Sequence, residues 1–169
     1  MPSICLYFQV HQPLRLKKFS IFHENEKDLF KRYVDDEKNV FYFEKAVKQC
    51  YLPATASLLE TMDSLKSQGI GGKFKLSFSL SGTFLQQCLS HNLGNEVCKN
   101  FKELAKSGNI EFLGETYYHS LSSLLPSNSR EFESQVGMHS KLIQSLFNFK
   151  PTSFRNTELI YNEGIAEKV

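Results

Sequence analysis

The sequence has 169 residues, is 41% hydrophobic, and carries 20 basic against 18 acidic residues for a formal charge of +2. That size buries one substantial core and leaves little for a second domain. Neither sign of charge gathers into a long run, so nucleic acid and acidic membrane surfaces are not implied as partners, and the mixed charges from Glu24 to Lys38 read as a solvated loop and helix face.

Ile4 to Val10 is an almost uninterrupted apolar run, the pattern of a strand buried on both faces of a parallel sheet. It ends at His11-Gln12-Pro13, where Pro13 stops the strand and the polar pair stands beyond its carboxyl end. Ligands of α/β proteins bind at such strand ends. Leu14 to Asn39 is polar and irregular, long enough for a functional loop with one short helix near Glu26 to Tyr33. Val40 to Ser67 turns helical, with Ala54, Leu58, Met62 and Leu65 on one face, Pro53 in a first turn, and Gly69, Gly71 and Gly72 ending it.

Lys73 to Ser81 alternates strictly, predicting a second strand with one more polar face. Two shorter helices follow, the second carrying Val97, Phe101 and Leu104 and closing at Ser107-Gly108. Asn109 to Leu113 is a third, short strand, and Gly114 to Ser127 an irregular loop. Asn128-x-x-Glu131 resembles a cap for a helix carrying Phe132, Val136, His139, Ile143 and Leu146 and ending before Pro151. Thr152 to Arg155 is a fourth strand, and a last helix starts near Asn162. Strand and helix in alternation predict a parallel α/β arrangement. The chain ends inside that last helix, which predicts that the barrel or sheet continues beyond residue 169.

Cys5, Cys50, Cys88 and Cys98 never form the close pairs of metal ribbons or redox motifs, and read as small buried hydrophobes in a reducing compartment. The first residues lack a secretory pattern and no apolar run reaches membrane-spanning length, so a cytoplasmic location is expected, with no membrane partner.

Three strand ends concentrate functional side chains: His11-Gln12-Pro13, Glu115 to His119, and Arg155-Asn156-Thr157-Glu158. A shared side of the sheet makes them one site. Glu158, beside Arg155, would be held ionised by that cation and serve as a nucleophile; the alternative is an ordinary Arg155 to Glu158 surface ion pair. Glu111, inside the third strand, has a structural role. Tyr117, Tyr118 and Phe154 suit either sugar stacking or a lid over the core.

The segments Ile4 to Leu16, Gly108 to Leu121 and Phe154 to Tyr161 resemble, in order and spacing, the first three sequence regions of family-57 glycoside hydrolases, closest to the α-amylase branch. The resemblance spans nearly the whole chain and implies the amino-terminal portion of an incomplete, seven-stranded (β/α) barrel, with residues 1–169 as part of a single catalytic domain. It implies a retaining mechanism on α-1,4-linked glucans or maltooligosaccharides without a cofactor. Glu158 matches the family's nucleophile, and His11 with the Tyr118-His119 pair matches residues lining a sugar subsite. Gln12, Glu115 and Arg155 complete the expected substrate-binding set. The family's general acid is an aspartate on a later strand, and Asp28, Asp35, Asp36 and Asp63 all lie too early to match it.

That omission has a chemical consequence. A retaining hydrolase needs two carboxyl groups about 5 Å apart, and acid assistance to the leaving oxygen commonly contributes on the order of a hundredfold or more. Little activity is therefore expected from these residues alone. A non-catalytic carbohydrate-binding or scaffold remnant is the alternative. A metal-dependent sugar deacetylase fits less well, because His11, His119 and His139 form no close-spaced ligand set.

Overall fold

The computed structural model describes residues 4–18, 20, 27–125 and 129–169. Three parallel strands, β1 (Leu6–Val10), β2 (Leu76–Leu80) and β3 (Ile110–Phe112), lie side by side in the order β1-β2-β3. The register sets Phe8 against Phe78 and Phe78 against Phe112, so Leu6, Phe8, Val10, Leu76, Leu80 and Ile110 share their face. Tyr7, Gln9, Ser77, Ser79 and Glu111 share the other. The fourth predicted strand is reduced to one parallel bridge between Gly114 and Phe154.

The apolar face packs under helices. α2 (Asp36–Ala46) and α3 (Leu52–Ser67) precede β2, α4 (Gly82–Ser90) and α5 (Asn92–Lys106) link β2 to β3, and α6 (Ser129–Phe147) follows β3. Before them comes α1 (Leu29–Tyr33), and α7 (Glu163–Ala166) is last. Phe78, Phe84, Phe101, Phe112 and Phe147 interlock at ring separations from 4.7 to 6.5 Å. Each ring fully withdrawn from water contributes about 2 kcal/mol.

Several expectations need correction. β1 is not buried on both faces: it has a strand neighbour on one side, and Leu6 and Phe8 stay exposed. The more polar face of β2 carries Ser77 and Ser79, as expected, and Ser79 is buried. β2 also starts late, since Gly71–Lys73 forms a 3₁₀ turn. The long helical pattern is two helices joined by a π-helical turn at Val47–Tyr51, where Leu52 N–H donates to the Val47 carbonyl. Pro53 offers no N–H and its ring crowds the carbonyl four residues earlier, and the wider turn relieves both. The predicted face of α3 holds at Leu58 and Met62, which pack into the core, but Thr55 rather than Ala54 is buried beside them. Thr55 Oγ1 then receives Asn100 Nδ2 at 2.8 Å, tying α3 to α5. Cys88 and Cys98 are buried as expected, but Cys5 before the outer strand and Cys50 on the π turn are exposed.

Other signals hold. Gly69 at φ 73° ends α3 with Gly69 N–H on the Lys66 carbonyl and Ile70 N–H on the Leu65 carbonyl, an arrangement that needs a left-handed residue. Asp28 caps α1 through Phe30 N–H, so the short helix in the first loop is present; the predicted start at Glu26 lies outside the described residues. The Asn128 cap also lies outside them. Ser153 Oγ donates to Glu111 Oε1 at 2.6 Å, a structural tie from β3 to the Phe154 segment.

Candidate active site

The polar strand ends meet at the carboxyl end of the sheet. His11 leaves β1 and places Nδ1 2.8 Å from Ser81 Oγ, the residue after β2 that also caps α4 by accepting Phe84 N–H. Thr83 Oγ1 lies 3.4 Å from the same nitrogen. The His11 ring rests against the His119 ring with centroids 4.5 Å apart. Burial, and secondarily any charge on His119, push the His11 pKa down, so the neutral imidazole is favoured.

His119 is the hub. Its Nδ1 lies 3.1 Å from Glu115 Oε2, its Nε2 lies 3.9 Å from Glu158 Oε1, and the Gln9 amide nitrogen sits 2.9 Å from Nε2. The two carboxylates differ sharply in access: the Glu115 side chain is 2% exposed and that of Glu158 is 72% exposed. An ionised group can accept or attack from the open position, whereas the buried one serves its neighbours. His119, Glu158 and Leu159 all adopt left-handed backbone, with φ of 52°, 55° and 59°. Non-glycine residues hold that conformation at a cost of about 1–3 kcal/mol each, and such strain concentrates at functional sites.

A second layer holds this geometry. His139 on α6 is fully buried, donates Nε2–H to the Leu80 carbonyl at 2.9 Å and accepts Glu115 N–H at Nδ1 at 3.4 Å. Both contacts demand the neutral Nε2–H tautomer, and burial pushes the His139 pKa down in agreement. Thr116 and Thr157 join their loops through hydroxyls 2.9 Å apart, and buried Asn156 donates to Ser123 Oγ and the Ile160 carbonyl.

His11, Glu115, His119, Glu158 and Arg155 are therefore brought to one cluster. Two expected members stand apart. Gln12 is buried towards α4, its carbonyl accepting Gln87 Nε2 at 2.9 Å, so it anchors the turn behind His11. Tyr118 is exposed, and its ring packs edge-on against Tyr117 rather than joining the hydrogen-bonded cluster. Tyr117 covers the start of α4, where a Cβ on Gly82 would come within 2.5 Å of its ring, and Phe154 packs edge-on against Phe132. These two aromatics are lids.

The expected pairing of Arg155 with Glu158 is not formed. Arg155 Nη1 donates to Gln9 Oε1 at 2.9 Å and its guanidinium lies over the Tyr7 ring at 4.8 Å, while Glu158 Oε1 lies 3.9 Å from His119 Nε2. The left-handed turn at Glu158 and Leu159 carries the carboxylate away from Arg155. Sequence reading missed Gln9 and His139. Alternation along β1 was the available signal for Gln9, since Tyr7, Gln9 and His11 fall on one face. Among the described residues no cluster of three or more His, Cys, Asp or Glu is arranged to hold a metal ion, and no helix is long and apolar enough to cross a membrane.

Comparison with known proteins agrees with this architecture. A protein of Methanocaldococcus jannaschii, provisionally named as an alpha-amylase, is 40% identical over 164 residues, which is 97% of this chain and 32% of that protein. Among solved structures, the 4-alpha-glucanotransferase of Thermococcus litoralis superposes with a TM-score of 0.66 at 16% identity, over 97% of this chain and 20% of that one. An alpha-amylase of Thermotoga maritima superposes with a TM-score of 0.61 at 14% identity, over 97% of this chain and 37% of that one. These likenesses place the α/β fold within part of larger barrel enzymes, and the chain spans about a third of the curated relative's length. The model of glycosyl hydrolase family 57 matches residues 5–169, and the chain belongs to that family.

Proposed function

We propose that residues 1–169 form the amino-terminal part of a single catalytic barrel in a retaining enzyme acting on α-1,4-linked glucans, with Glu158 as the nucleophile. The observation that carries this reading is the meeting of three distant motifs, with His119 touching the His11 ring on one side and lying 3.9 Å from the exposed Glu158 carboxylate on the other. The names of the similar proteins, an alpha-amylase, a protein provisionally named as one and a 4-alpha-glucanotransferase, support α-glucan chemistry. Hydrolysis and glucan transfer share the same first step.

In that step a Glu158 oxygen attacks the anomeric carbon as the glycosidic oxygen leaves with a proton from a general acid, and the glycosyl ester is then opened by water or a sugar hydroxyl. Glu115 does not suit the acid role, because it is buried and engaged with His119. Nor do the aspartates: Asp28 and Asp35 cap α1 and α2, Asp36 lies in the first turn of α2, and Asp63 lines a hollow with Lys66 and Glu103 near the start of β3. The acid is assigned to residues outside these 169, and activity to the full-length cytoplasmic enzyme.

Replacing Glu158 with Gln in that enzyme keeps size and polarity while removing the attacking charge. Glucan affinity should change little while turnover falls on the order of a thousandfold or more. Turnover within tenfold of the unmodified enzyme contradicts the assignment.

A further inference from the structure

Between α2 and the second half of α4 lies a cavity of about 210 Å³, apart from the strand-end cluster. Leu14, Phe30, Val40 and Phe43 give it apolar walls, and Gln87 and His91 line it one turn apart at the end of α4. Gln87 is 9% exposed. Its Nε2 donates to the Gln12 carbonyl at 2.9 Å and to the Thr83 carbonyl at 3.2 Å. A carbonyl only accepts, so these two contacts use both amide hydrogens and turn Oε1 away from them. Among the described residues Oε1 has no hydrogen bond, nor has His91 Nδ1, and both atoms are withdrawn from bulk water. Folded chains leave few buried polar atoms in that condition, so two of them beside one cavity call for an explanation.

We infer that this cavity is a binding site for a small uncharged aromatic alcohol, with its ring against Phe30, Val40 and Phe43 and its hydroxyl donating to Gln87 Oε1. Size sets the ring: an apolar cavity of about 150 Å³ takes up benzene, and this one is larger. Gln87 sets the hydroxyl, because its two hydrogens are spent and only an acceptor remains. A sugar ring suits the space less, since most of its hydroxyls would lie unpartnered against the four apolar side chains. An anion is disfavoured by Asp36, exposed in the first turn of α2 and the one acidic residue of the lining. The cavity is also tied to the site, because the carbonyl that Gln87 holds belongs to Gln12, the residue after His11. Nothing in it depends on the role of Glu158.

Phenol and toluene, alike in shape and different by one hydroxyl, test this by NMR titration of the Phe43 and His91 rings in the whole protein carrying these residues. Phenol should bind saturably, with half-saturation on the order of a millimolar. Gln87→Leu should weaken phenol about tenfold or more and leave toluene unchanged or tighter. Val40→Trp, at the rim where Val40 is 36% exposed, should fill the cavity and abolish binding of both. The ring signals of His139, buried behind the strand ends, report an intact fold in each variant. Phenol that fails to saturate, or that moves neither ring of the cavity, overturns the inference. So does an unchanged phenol affinity in Gln87→Leu, an equal loss of phenol and toluene there with His139 intact, or binding that survives Val40→Trp. If Gln87→Leu does not fold, the unmodified protein and Val40→Trp decide. No arm uses turnover, so failure here leaves the role of Glu158 standing.

Discussion

The two ends of the sheet use similar polar residues to opposite effect. At the amino ends, Lys66, Gly71, Glu103, Lys106 and Asn109 line an open hollow of about 720 Å³, and the charges there pair locally, as in the exposed Lys106–Glu103 contact at 2.8 Å. At the carboxyl ends the partners are distant in sequence: Gln9 meets His119 across 110 positions and Arg155 meets Gln9 across 146. The first set finishes helices and turns in water. The second can exist only when the fold brings three strand ends together, and it keeps buried groups such as Glu115 and His139 that a purely structural rim has no need to bury. Long-range, buried connection therefore separates a site from a rim better than the presence of charge does.

The largest stability effect that sharpens this contrast is expected at His139. Replacing it with Phe fills the space but strands the Leu80 carbonyl and Glu115 N–H, which should lower stability by about 3 kcal/mol in denaturant melts. A loss below about 1 kcal/mol would reduce the second layer to ordinary packing.

A smaller effect follows from pH. Burial holds His139 and His11 below their ordinary value of 6.5, so the unfolded chain binds protons that the folded chain refuses. Their contribution is complete above that value and declines as the pH falls through it. Denaturation midpoints should therefore drop between about pH 7.5 and about pH 5.5, less steeply in His139→Gln. Equal slopes in the two proteins would remove His139 from that account. The smallest effect belongs to the other end of the sheet, where Lys106→Ala removes an exposed pair and should change stability by less than about 0.5 kcal/mol in the same melts.

The succession of strands and helices along the chain was legible because hydrophobic periodicity survives in the fold, from the apolar run of β1 to the Val97, Phe101 and Leu104 face of α5. The convergence of His11, Glu115, His119 and Glu158 was legible as polar clusters after apolar runs. What escaped depends on geometry that periodicity does not encode. Arg155 and Glu158 are close in sequence, but consecutive left-handed residues separate them. Gln9 is a lone polar residue in an apolar strand, and its partners are known only once β1 lies beside the later segments. His139 fits a helix face by spacing, yet its contacts with Leu80 and Glu115 come from across the core. The π turn at Val47–Tyr51 breaks the long helical pattern in two and leaves no mark in the periodicity.

The central claim is that Glu158 attacks the anomeric carbon, and trapping the intermediate tests it most directly. The protein carrying these residues would be treated with a fluorinated α-maltosyl fluoride, which forms a slowly hydrolysed glycosyl ester on a retaining nucleophile, and digested for mass spectrometry. The account predicts one sugar adduct on the peptide carrying Thr157-Glu158-Leu159, absent from Glu158→Gln. An adduct on any other carboxylate, Glu115 included, or one that survives in Glu158→Gln, would contradict it.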